Sequence, residues 1–157
     1  MVRLIDWLRA KWRQLTGPLG RPDNPTTAPQ DESSTAGENG ETLLAVNISK
    51  GSLVASRIRW AGTSQTRRRG LLGRTHLDAA EGVYIVPTQW IHMFGMRFAI
   101  DVAFLASDGR VLVIHHGIKP NRLSQIVWRA EGALELAEGT LRATNTEVGD
   151  IIRLQTS

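Results

Sequence analysis

The chain has 157 residues, no cysteine and a formal net charge of +4. The missing cysteines exclude disulfides, thiolate catalysis and cysteine-ligated zinc or iron–sulfur centres. No stretch reaches the roughly 20 apolar residues of a membrane span, and charged residues interrupt the N-terminus where a signal peptide needs its apolar core.

The charge is uneven along the chain. Residues 1–15 carry Arg3, Arg9, Lys11 and Arg13 against Asp6, a local +3. Residues 16–41 carry Arg21 against Asp23, Asp31, Glu32, Glu38 and Glu41, a local −4. The remaining fourteen basic and nine acidic residues leave +5 on the rest. Residues 2–15 place Ile5, Leu8, Trp12 and Leu15 on one stripe with arginines largely opposite, which predicts a basic amphipathic helix within 1–16. Gly17-Pro18 stops it. Residues 17–41 are rich in Pro, Thr, Ser, Gly and acids and bury too little to offset chain entropy, so a disordered linker is expected there.

The domain proper spans 42–157. Thr42–Ile48 and Ser52–Trp60 read as strands around Lys50-Gly51, the second with Leu53, Ala55, Arg57 and Arg59 on one face. A short helix is predicted from Thr63 or Ser64 through about Leu72, closed by Gly73. A strand at Gly82–Val86, a loop at Pro87-Thr88 and the segment Trp90–Ala106 follow. Asp108-Gly109 predicts a hairpin that sets Val102–Ala106 against Arg110–His115. Ala133–Leu136 reads as a strand, Gly139–Asn145 as a helical turn and Asp150–Leu154 as the last strand. The expected fold is α+β and mostly β: one compact domain of about seven short strands in a partly closed, barrel-like sheet, with one or two short helices.

Five blocks, in order, carry a resemblance: RGLLGR at 69–74, Glu81-Gly82, IHMFGMRFAIDVAFLASDGRV at 91–111, LELAEGT at 134–140 and VGD at 148–150. Together they resemble the bacterial and archaeal family known as domain of unknown function 192, over about residues 53–154. The resemblance implies a compact β-rich domain and no established activity. Where the family's central motif has a Phe-Trp-Met run, this chain has Met93-Phe94-Gly95-Met96, a variant with His92 and the Met96-Arg97 pair.

The candidate chemistry centres on Trp90–Asp101. On a strand, Arg97 and Asp101 share a face, and a charged pair in an apolar strand is costly unless it is paired or binds something. One reading is a small pocket walled by Met96, in which Arg97 holds an anionic or carbonyl group and His92 orients or exchanges a proton. The other is a structural ion pair of Arg97 with Asp101 or Glu135. Glu135, flanked by Leu134 and Leu136 and facing opposite to both on a strand, is also a candidate ligand-binding residue of the pocket. Arg69 and Arg74 belong to a basic cluster suited to a carbonyl, a carboxylate or a phosphate. His115 and His116 are adjacent, point to opposite faces of a strand and do not share a metal; no metal site and no cofactor are expected. Neither nucleophile elbow nor phosphate-binding glycine loop is present, and no aromatics interleave with Arg67, Arg68 and Arg69, so nucleic-acid binding is not expected.

Three readings remain. The first is a non-catalytic binding or accessory domain, tethered to a membrane surface or protein partner by residues 2–15. The second is a binder of a small anionic ligand at His92, Arg97 and Asp101, and the third an enzyme using the same residues. The expected location is cytoplasmic, including attachment at the inner face of the membrane.

Overall fold

The computed structural model describes residues 42–156. The amphipathic helix expected at 1–16 and the linker expected at 17–41 lie outside the described residues.

Seven strands form one curled, mixed sheet, a half-barrel, with two short helices. In chain order they are β1 (Leu43–Asn47), β2 (Ser52–Ala61), α1 (Ser64–Arg69), β3 (Glu81–Ile85), β4 (Ile100–Leu105), β5 (Val111–Ile118), β6 (Gly132–Ala137), α2 (Thr140–Ala143) and β7 (Ile152–Thr156). Across the sheet the order is β5-β4-β6-β3-β2-β1-β7. Only β2 and β3 run parallel, and α1 lies in the crossover between them. Every other neighbour is antiparallel. The sheet curls until its ends meet at the β4–β5 hairpin tip: Val111 N–H donates to Asp150 O at 2.8 Å and Ile152 N–H to Gly109 O at 2.9 Å. The β-rich, partly closed fold expected from the sequence is the one observed.

Both faces of the sheet are buried. The inner face of the curl packs Ile58, Tyr84, Ala103, Leu105, Leu134 and Leu136 against Leu141 of α2. On the opposite face Val83, Ile85, Val102, Phe104 and Ala133 meet Leu71, Ile91, Met93, Val127 and Ala130 from the long connections. Hence β4 and β6 read as nearly continuous apolar runs rather than alternating ones.

Three details depart from the expected elements. The strict alternation of β2 fails because irregularities in the β1–β2 register set Leu43 against Ile58 but Ala45 against Ala55. Ala55 therefore joins Ile58 and Val54 in the inner core instead of sharing a face with Arg59. Helix α1 stops at Arg69 rather than Leu72, since Gly70 takes φ +42° and ends it first. Finally, Trp90–Ala99 is not continuous with β4. It pairs instead with 121–124, through Met93 N–H to Arg122 O (2.8 Å), Asn121 N–H to Met93 O (2.9 Å) and Ser124 N–H to Ile91 O (3.0 Å). The two connections thus form a single layer over the outer face.

Gly82 shows how closely β3 and β6 approach. A methyl group there would lie 2.6 Å from the Glu135 carbonyl oxygen and 2.7 Å from Ile58 Cδ1. Gly82→Ala is expected to cost about 1–3 kcal/mol in urea unfolding, the usual penalty of overpacking against backbone.

Candidate functional site

The strand register builds one row across the outer face. Arg59 of β2 stands opposite Val83 of β3, and Val83 opposite Glu135 of β6. Glu135 stands opposite Val102 of β4, and Val102 opposite His115 of β5. Directly paired residues share a face, so Arg59, Glu135 and His115 are three polar side chains in a row otherwise filled by valine.

Glu135 is 5% exposed. Among the described residues its carboxyl group makes no hydrogen bond. Burial pushes its pKa up to about 7, and the positive charge of Arg59 opposes that rise only in part. At neutral pH this carboxyl is therefore shared between its neutral and ionised forms. Gly70 forms the near wall: a methyl group there would sit 3.9 Å from Glu135 Oε2 and 3.7 Å from Ile85 Cδ1.

Arg59 is half-buried and donates to the Gly70 carbonyl. Its pKa is held below the ordinary guanidinium value by burial first, then by the like charges of Arg74 and Arg69. A guanidinium nonetheless stays cationic in proteins. Arg74 donates to Glu81, and Arg57 lies 3.7 Å from the other oxygen of that carboxylate. Of the two carboxyl groups, Glu81 has cations within ion-pair distance and Glu135 has none among the described residues. His115 ends the row, its Nε2 buried without a hydrogen-bond partner among the described residues. Its ring meets the Phe104 ring edge-on, centroids 6.0 Å apart, and burial lowers its pKa.

The expected site residues therefore separate. Glu135, Arg69 and Arg74 all lie close enough to Arg59 to act on its charge. Met96 packs beneath the loop layer, against the outer-face core. His92 and Arg97 lie exposed on the outside of that layer, His92 stacked on Phe94 with ring centroids 5.6 Å apart. Asp101 is fully buried and faces the other way: Oδ1 accepts from Gly117 N–H (2.9 Å) and Oδ2 from Leu141 N–H (3.0 Å). The expected ion pair of Arg97 with Asp101 or Glu135 is not formed, because the turn at Gly95 (φ +79°) and the loop after it carry Arg97 out of β4 and away from both. His116 Nδ1 lies 3.8 Å from Asp101, on the face opposite His115. Among the described residues no three His, Asp or Glu side chains converge as metal ligands.

Arg59 and His115 were absent from the sequence-based site. Both lie in strands, and only the register, set by backbone pairing far apart in the chain, puts them in line with Glu135. Glu135 itself was visible as a carboxylate flanked by Leu134 and Leu136.

A curled mixed sheet with a buried carboxyl on its loop-covered face defines a small β-rich domain. The chain belongs to the domain of unknown function 192 family (Uncharacterized ACR), whose sequence profile matches residues 45–154. It is 32% identical over 114 residues to a UPF0127 protein of Thermococcus sibiricus, covering 69% of this chain and 73% of that protein. Two crystal structures share the fold. A protein of unknown function from Novosphingobium aromaticivorans has a TM-score of 0.64 and 20% identity, covering 83% of this chain and 99% of that one. A Sinorhizobium meliloti protein provisionally described as a transcription regulator has a TM-score of 0.62 and 24% identity, covering 73% and 92%.

Proposed function

We propose that this is a non-catalytic binding domain whose ligand is a small anion, with residues 2–15 as its tether to a membrane surface or protein partner. The observation that carries the ligand reading is Glu135: a buried carboxyl without a hydrogen-bond partner among the described residues, beside half-buried Arg59, whose own charge feels Arg74 and Arg69. Evolved cores pair or neutralise such groups, and a carboxyl perturbed by burial beside a specific cation is a functional-site candidate. The guanidiniums supply forked donors for a carboxylate, sulfate or phosphate group, and Glu135 in its neutral form adds an O–H donor.

The charge of Glu135 sets the pH dependence. Below about pH 7 it is neutral and the site is net cationic; above that it becomes an anion facing the ligand. Anion affinity is expected to fall as pH rises from about 6 to about 8, and to stay level in Glu135→Gln, which cannot ionise. The test is thermal shift of the full chain with sulfate, carboxylates and nucleotides, in wild type and Arg59→Met. A probe at about a hundred times its dissociation constant adds about 2.7 kcal/mol of stability. A shift seen in wild type and lost in Arg59→Met supports the reading; equal shifts in both, or none with any probe, contradict it.

A second reading, an enzyme that uses the row for proton transfer, is favoured by one observation. Glu135 and His115 lie on the same row with their pKa values pushed in opposite directions, the first up and the second down. Its test is turnover of a bound probe, lost in a folded Glu135→Gln protein.

A further inference from the structure

The outside of the loop layer carries a different signal, independent of Arg59 and Glu135. From Trp90 to Phe94 burial alternates strictly: Ile91 and Met93 point into the core, while Trp90, His92 and Phe94 are exposed. The paired connection is less regular, burying Val127 and Ala130 and exposing Leu123, Ile126 and Trp128. His92 bridges Leu123 across the pair, and Val127 N–H donates to Gln89 O at 2.8 Å, so the outward side chains share one surface. Trp128 is 75% exposed, Leu123 58%, and Phe94 and Ile126 51% each. The pair is therefore a two-sided ribbon, one side packed into the core and the other presenting large exposed apolar side chains with nothing from the described residues upon it.

The two stretches of chain that build it carry no acid. There is no acidic residue between Glu81 and Asp101, nor between Asp108 and Glu131. Besides Arg110, which lies beside Asp108 at the hairpin tip, the same stretches hold Arg97, Lys119, Arg122 and Arg129, all exposed. We propose that this ribbon is a docking surface for an anionic lipid bilayer, its tryptophans and aliphatics entering the interface and its four cations facing the headgroups. Tryptophan with aliphatic neighbours and a cationic rim is the composition that favours the headgroup boundary. A second copy of the chain fits less well, because a two-fold contact would set the same cations against one another. Single-stranded nucleic acid also fits less well, because Leu123 and Ile126 offer no aromatic face for a base.

The test is flotation of the full chain with vesicles of phosphatidylcholine alone, or with about 30% phosphatidylglycerol. It is run on wild type, on Ile126→Ser/Trp128→Ser and on Trp7→Ser/Trp12→Ser, each checked for an unchanged melting curve. Both serine pairs lie outside the proposed anion site. The expected result is binding to the anionic vesicles by wild type and by the N-terminal variant, and at least about tenfold weaker partition of the Ile126/Trp128 variant. The proposal is overturned if wild type ignores anionic vesicles or if the Ile126/Trp128 variant binds as wild type does. Capture of a single-stranded oligonucleotide in place of vesicles, or concentration-dependent dimerisation that the Ile126/Trp128 variant abolishes without vesicle binding, overturns it equally.

Discussion

Glu135→Gln should make the protein more stable at about pH 8 than the wild type, by about 3 kcal/mol relative to the difference at about pH 4.5. The carboxyl is pushed up to about 7 in the folded chain by burial, against an ordinary value of 4.5. The folded state therefore holds this proton more tightly than the unfolded state. Its contribution to stability is complete below about pH 4.5 and is lost as pH rises through about 7. Glutamine keeps the shape and has no proton to lose. Urea unfolding of both proteins across that range gives the difference directly, and the titration of every other group cancels in it. A difference that stays flat with pH would mean that Glu135 is not a buried, strained acid.

Asp101→Ala is the second large effect, expected at about 2–4 kcal/mol of lost stability. The mechanism is not the ion pair suggested by sequence. Helix α2 begins after Gly139, which has no side chain to cap it, and Asp101 from β4 accepts the Leu141 N–H in its first turn. The other carboxylate oxygen holds Gly117 N–H in β5, where φ is +58°. Removing the carboxylate leaves two donors unpaired, one of them fully buried, at about 1–3 kcal/mol each. Asp101→Asn retains one acceptor oxygen and should cost less. A shift below about 0.5 kcal/mol for Asp101→Ala, the size of an ordinary surface change, would contradict this account.

These two residues illustrate what a sequence discloses. The element order was legible because each strand is short, apolar and bounded by Gly, Pro or Asp-Gly, and because local periodicity needs only neighbours along the chain. Asp101 was legible as an expensive charge, but its partners come from residues 16 and 40 positions away. Arg97 is misplaced by the sequence because residues 97–99 read as an extension of β4, whereas the turn at Gly95 detaches them. Arg59 looked like one of several surface arginines; only the β2–β3–β6 register puts it in line with Glu135. Likewise the sequence crowds Trp90 and Phe94 around Gly95, and the pairing of two distant loops decides that both face outward.

The central claim is that Glu135 is a buried acid coupled to an anion site built on Arg59. Carboxyl-carbon NMR of the full chain, titrated with and without saturating sulfate, addresses it directly. The expected result is a Glu135 midpoint near 7 that moves upward with sulfate, since the neutral form binds the anion better. A midpoint in the ordinary glutamate range, or one that sulfate leaves in place, would contradict it.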